Sequence, residues 1–77
     1  MDDTEFLSYC DSHAETPRCG FVPAQIARLL RLANYVHAAE QWEMVSNRVV
    51  DCNEEDIKKL VREARDYSKT KASDGKH

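Results

Sequence analysis

Turn-forming residues are scarce in this chain: its 77 residues include only two glycines and two prolines. Pro17, Gly20 and Pro23 lie close together, and from Pro23 to Arg48 no further glycine or proline interrupts the sequence. A chain with so few turn signals has few connections between long elements. The sequence therefore predicts an all-α fold, and its length allows one small domain, placed at 1–69.

Two of the three predicted helices are marked by capping signals. The first, at about 3–14, begins after Asp2 with the pattern of a capping box. The third, at about 54–69, begins after Asn53 and repeats apolar residues at helical spacing. The polar residues 70–77 are expected to form a disordered tail.

A long central helix is predicted at about 23–48, with Pro23 as its first residue. Such a helix would be about 37 Å long. The apolar residues of its second half centre roughly 170° away from those of its first half. Because no glycine or proline separates the halves, we expect one continuous helix whose halves bury opposite faces.

The lengths of the helices predict self-association. Two short helices are too small to cover both faces of so long a central helix, and apolar surface would stay exposed. Pairing of central helices from two copies is the simplest remedy, so a homodimer is favoured. A monomeric three-helix bundle is the alternative.

Charge is distributed in blocks, and the net charge of −3 conceals them. Residues 1–16 carry five acidic side chains and no basic one, whereas residues 17–39 carry three arginines and no acid. Residues 40–56 carry six acids and one arginine, and residues 57–77 carry seven bases and three acids. Alternating blocks suit helices that attract one another, within a chain or between chains.

No catalytic or metal-binding pattern stands out. The chain is too small for a deep cleft with a supporting shell, and no nucleophile constellation or glycine-rich phosphate loop occurs, so we expect no enzyme activity and no cofactor. Cysteine and histidine are spaced unlike any common zinc module, and we predict no metal site. The residues concerned are Cys10, His13 and Cys19, with Cys52 or His37 as a fourth ligand.

One line of the predicted central helix combines the residue types that are enriched in binding hot spots. Arg28, Arg31, Tyr35 and Trp42 fall on a single stripe of a continuous helix, and Arg, Tyr and Trp unite large apolar area with polar tips. The sequence thus predicts a small protein–protein interaction module, a regulator, adaptor or inhibitor of a larger complex. Its contact surface is this stripe or the acidic first helix.

Two alternatives to this interpretation remain open. Tyr35 and Trp42 could instead be core residues against the third helix. The stripe could also bind an anionic ligand, DNA or a nucleotide-like molecule, through Arg28, Arg31 and Tyr35. A helix-turn-helix is not expected, because no turn is evident after Arg31 and the presumptive recognition helix would carry acidic residues.

The sequence also predicts a cytoplasmic protein. No stretch is long and apolar enough to span a membrane, and the opening residues are acidic where a signal peptide would be basic and then apolar. Three cysteines, an odd number, fit a reducing compartment better than a disulfide framework.

Overall fold

The computed structural model describes residues 2–16, 20–45 and 48–74 of the chain. The helical character of the predicted all-α fold is confirmed, but this part of the chain has four helices where three were predicted, and it also has one short pair of strands. In chain order the elements are α1 (Asp3–His13), β1 (Gly20–Phe21), α2 (Pro23–Leu32), α3 (Val36–Glu43), β2 (Val50–Asp51) and α4 (Glu54–Asp74).

Helix α1 begins as its sequence predicts. The carboxylate of Asp2 accepts a hydrogen bond from the backbone N–H of Glu5 at 2.8 Å, which satisfies one of the free donors of the first turn. The apolar residues that repeat at helical spacing along α1 and at its C-cap are all buried in the core: Phe6, Leu7, Cys10 and Ala14.

The prediction of one continuous helix over 23–48 is wrong, because the chain turns at Asn34. This residue has φ of 69°, the left-handed conformation that ends many helices. The N–H of Tyr35 donates to the carbonyl of Leu30 at 2.8 Å, and the N–H of Asn34 donates to that of Arg31 at 3.0 Å. These two bonds form a Schellman motif. Asn is one of the few residues besides Gly that enter this conformation readily.

Helix α3 folds back against α2 as a result, and it has no comparably close helical neighbour in the described structure. Ala39, whose small side chain permits a close approach, is its one fully buried residue. The length argument for self-association assumed an unbroken helix, so it no longer applies. The homodimer itself stays a prediction.

The short strands that precede α2 and follow α3, β1 and β2, form an antiparallel pair. Gly20 pairs with Asp51 and Phe21 with Val50, in segments for which the sequence predicted no strands. A Cβ atom on Gly20 would lie 2.5 Å from Cγ1 of Val49, so the pairing favours glycine here. Phe21 is 1% exposed and anchors the pair in the core.

Helix α4 provides one side of the core. The side chain of Asn53 caps its start by accepting a hydrogen bond from the N–H of Glu55 at 2.8 Å, as predicted. The apolar periodicity is confirmed where the helix faces the core, at Ile57, Val61 and Ala64. The helix continues to Asp74, so part of the predicted tail belongs to it, while residues 75–77 lie outside the described structure.

Helices α1 and α4 run antiparallel. Glu15, just after the end of α1, pairs with Lys58 near the start of α4, and Thr4 at the start of α1 lies beside Ser68 toward the far end of α4. Helix α2 packs against both α4 and α3. Within the described ranges no helix is long and apolar enough to cross a membrane.

Candidate interaction surfaces

The turn at Asn34 separates the four residues predicted to form one contact stripe. Arg28 and Arg31 lie on α2, Tyr35 lies in the turn, and Trp42 lies on α3. Because the two helices have different axes, the helical spacing that aligned these side chains no longer applies. The prediction of a single stripe is wrong for the same reason as the prediction of a single helix.

Arg28 joins α2 to α1. A terminal nitrogen of its guanidinium lies 3.0 Å from a carboxylate oxygen of Asp3. The guanidinium carbon also lies 4.4 Å from the centre of the Phe6 ring, close enough for a cation–π contact. Arg28 therefore stabilises the packing of two helices in the described structure.

Arg31 joins α2 to α3 in the same way. Two of its nitrogens donate to the two carboxylate oxygens of Glu43, at 3.1 and 2.8 Å. These hydrogen bonds and the adjacent positive charge lower the pKa of Glu43. A bidentate pair fixes geometry as well as charge. Charge reversal of Arg31 would place two carboxylates together, so it would disturb the fold as well as any binding.

Tyr35 and Trp42 both contact other parts of the fold. The hydroxyl of Tyr35 donates to Glu63 on α4 at 3.0 Å, and this hydrogen bond raises the pKa of the phenol. Trp42 is partly buried against the core. An anion gripped by Arg28, Arg31 and Tyr35 would have to displace carboxylates from all three side chains.

The cysteines and histidines considered as metal ligands are not gathered into a site. Cys10 is completely buried, and burial raises the pKa of its thiol to about 11. Cys52 is partly buried, and its thiol donates to the carbonyl of Val50 at 3.5 Å. Cys19 lies outside the described residues. Among those that are described, no three metal-ligating side chains come together.

His13 instead holds α1 against the strand pair. Its Nε2 donates to the carbonyl of Gly20 at 2.9 Å, since a carbonyl oxygen can only accept. The imidazole stacks on Tyr9 with ring centres 5.3 Å apart, and it meets Phe21 edge to face at 5.0 Å. A histidine held by two ring contacts and by a hydrogen bond at one nitrogen has a structural role.

The order helix, turn, helix is present at α2 and α3, contrary to the expectation that the sequence offers no turn. Asn34, which we did not count as a helix terminator, supplies it. The other reason against DNA binding is unaffected. Glu40 and Glu43 lie in α3, where a recognition helix would sit, and carboxylates repel phosphates.

Two surfaces that the sequence did not predict emerge from the packing. The first, which we call the α3 surface, comprises exposed apolar side chains of α3 and of the segment that follows it, with the partly buried Trp42 beside them: Val36, Trp42, Met44, Val45 and Val49. Trp42 and Val45 line a groove of about 310 Å³ against the first turn of α2. Met44 is 83% exposed and Val49 67%, and among the described residues five of the seven large exposed apolar side chains fall within 35–49. This concentration in one segment of the chain makes it a candidate interaction site.

The second surface, the basic groove, runs between α1 and α4 and has a volume of about 380 Å³. Its α4 side carries a row of four cations, and its other charged members are carboxylates. Beyond Arg65 it continues into a hollow of about 230 Å³ beside Thr4 and Leu7. The row is recognisable in the sequence from its helical spacing: Lys58, Arg62, Arg65 and Lys69.

Comparisons of the chain with protein-family models, with curated proteins and with solved structures find no match. Function is therefore inferred from the chemistry of the two surfaces.

Proposed function

We propose that this protein is a small, non-catalytic protein–protein interaction module of the cytoplasm, which acts as a regulator, adaptor or inhibitor of a larger complex through its α3 surface. The observation that supports this is the exposure of α3. Among the described elements α2 is its one close neighbour, and the helix buries one residue fully, Ala39, while Met44 and Val45 at its end are exposed.

Burial of this surface would supply binding energy. Each Å² of apolar surface that is removed from water contributes about 25 cal/mol. Trp and Met are also among the residues enriched at the centres of protein interfaces, where the flexible Met side chain adapts to its partner. The groove beside Trp42 offers a place for an apolar side chain of the partner.

The charge on α3 favours a different protein over a second copy of this chain. Val36, Glu40 and Met44 are exposed and follow one another at four-residue spacing, so a carboxylate lies between two apolar side chains. A two-fold pairing centred on Glu40 would oppose two like charges. We therefore propose a partner that presents apolar side chains around an Arg or Lys, with self-association as the alternative.

The burial of the described residues fits a non-catalytic role. Catalytic groups take shifted pKa values from burial and from charged neighbours. In the described part of the chain no polar or charged residue is fully buried, and the one large shift of pKa belongs to Cys10 in the core. Binding of DNA or a nucleotide through Arg28, Arg31 and Tyr35 has less support, because all three contact carboxylates.

The decisive experiment compares surface variants in partner capture. The double variant Met44→Ser, Val49→Ser removes exposed apolar groups, and Tyr67→Ser, a change of an exposed apolar residue on α4, is the control. Immobilised full-length protein is used to capture partners from lysate of its host, with quantification by mass spectrometry. We expect a protein retained by wild type and by Tyr67→Ser, and lost with the double variant.

Light scattering of the free protein separates the two kinds of partner. The proposal predicts the mass of a single 8.9 kDa chain. A dimer that the double variant dissociates would instead identify a second copy as the partner. Equal capture by all three proteins, with unchanged thermal unfolding, would contradict a role for the α3 surface.

A further inference from the structure

We infer that the basic groove between α1 and α4 is a second binding surface, and that its partner is an acidic amphipathic helix. This inference is independent of the α3 surface, which lies on other elements. It rests on the spacing of the cations, on how their charge is compensated along the groove, and on the side chains at its floor.

The cations form a regular row along α4. Lys58, Arg62, Arg65 and Lys69 succeed one another by four, three and four residues, so they share one face over about 16 Å of helix. A partner helix laid along the groove would present carboxylates at the same intervals of about 4.5 to 6 Å. When two helices pair in this way, each cation of the row can lie opposite a carboxylate of the partner.

Carboxylates of the same chain compensate only part of the positive charge of this row. At one end the ammonium group of Lys58 lies 2.8 Å from the carboxylate of Glu15, and the hydrogen bond between them lowers the pKa of Glu15. Asp11 and Asp66 line the groove together with the four cations and compensate part of their charge. The opposite wall near Arg65 is formed by Thr4 and Leu7, which carry no charge. The lining of the groove is therefore positive on balance.

The floor of the groove distinguishes an acidic peptide from a nucleic acid. The long stems of the cations give the groove an apolar lining above the buried side chains of Leu7 and Val61. An amphipathic helix can place an apolar side chain there, whereas a phosphate backbone cannot. Asp11 and Asp66 also line the groove, and they would repel a continuous chain of phosphates more than a helix with spaced carboxylates.

The test uses a designed probe. A helical peptide of about 15 residues carries glutamates at i, i+4, i+7 and i+11 with leucines on the adjoining line. A peptide of the same composition with that order scrambled is the control probe, and a single-stranded and a duplex DNA oligonucleotide are the competing ligands. Binding to the full-length protein is measured by fluorescence anisotropy at about 50 and 200 mM salt.

Two double variants locate the binding. Arg62→Gln with Arg65→Gln neutralises the groove, and Arg48→Gln with Lys59→Gln removes the same charge elsewhere on the surface. We expect the ordered peptide to bind more tightly than the scrambled one and to weaken at higher salt. The groove variant should weaken it by about tenfold, and the control variant by much less.

Three results would overturn the inference. The first is no binding of the ordered peptide up to about 1 mM. The second is equal weakening by the two double variants, or equal binding of the two peptides. The third is groove-dependent binding of DNA that is tighter than that of the peptide, which would assign the groove to nucleic acid. Unchanged thermal unfolding of both variants confirms that binding, and not folding, is measured.

Discussion

Replacement of Asn34 by alanine tests why the chain breaks between α2 and α3. Asn34 has φ of 69°, and the left-handed conformation costs a residue with a Cβ atom about 1–2 kcal/mol. Asparagine carries less of this penalty than alanine, so we expect Asn34→Ala to lower the free energy of unfolding by about 1 kcal/mol. For a domain of this size that is a fall in Tm of about 4–8 °C. Asn34→Gly should be neutral or stabilising.

The same substitution favours the continuous helix that the sequence predicts. Alanine is a better helix former than asparagine by roughly 0.6 kcal/mol, a gain that is realised only if the turn becomes helical. The straightened chain would have to pull Ala39 and Trp42 away from α2. That loss of packing exceeds the gain, so we expect the turn to persist with alanine.

Thermal and urea unfolding, followed by far-UV circular dichroism, measure the effect. Gln41→Ala, an exposed change on α3, is the control and should stay within about 0.5 kcal/mol of wild type. The reasoning is refuted if Asn34→Ala raises both Tm and helicity. Size-exclusion chromatography detects a second refuting outcome, in which α2 and α3 join into one helix and this helix pairs with a second copy of the chain.

Three further predictions concern the core, an ion pair and the strand pair. Leu29→Ala, at a site that is 1% exposed, should cost about 2–5 kcal/mol in urea unfolding, and a loss below 1 kcal/mol would contradict its place in the core. Glu15 has a lowered pKa, so its pairing with Lys58 stabilises the fold above the ordinary pKa of a glutamate and is lost as pH falls through the lower folded value. Acid should therefore lower the Tm of wild type more than that of Glu15→Gln, and equal shifts would refute the contribution. Gly20→Ala should destabilise the protein because the added Cβ atom would meet the side chain of Val49. The loss should be smaller when Val49 is also replaced by alanine, and additive losses in this double-mutant cycle would count against the contact.

The starts of α1, α2 and α4 were the most predictable part of this fold. Asp2 and Asn53 cap α1 and α4 through hydrogen bonds to nearby backbone N–H groups, and such local bonds depend on only a few neighbouring residues. Pro23 at the start of α2 is equally local. The apolar faces of α1 and α4 followed because each helix has a single buried side.

The centre of the chain was mispredicted because only Gly and Pro were counted as helix terminators. Asn34 was the missed signal, since asparagine at the end of an apolar helical pattern is also typical of a left-handed cap. The change of apolar direction between Ala33 and Tyr35 marked the same position. We interpreted it as two buried faces of one helix, whereas it marks two helices that pack against each other.

The contact residues could not be predicted once that helix was misjudged. Arg28 and Arg31 have the composition of a hot spot, but their carboxylate partners are 25 and 12 residues away in sequence. Such pairing depends on tertiary packing, which periodicity does not encode. The row from Lys58 to Lys69 was accessible, since it lies within one correctly predicted helix, but only the structure places α1 beside it.

The pairings in this fold are nested. Helices α2 and α3 meet across three residues, the β1–β2 pair encloses them, and α1 and α4 enclose both. Each outer pairing therefore closes a loop that the inner one has already shortened, which lowers the entropy cost of long-range contacts. It also brings the start of α1 close to the C-terminal part of α4, where Thr4 and Ser68 line one hollow. A circular permutant with its ends linked and a new opening between α1 and β1 would keep the order in which α2 and α3 form the innermost pair. An opening at Asn34 would invert that order, so that α1 and α4 become the innermost pair and α2 and α3 the outermost.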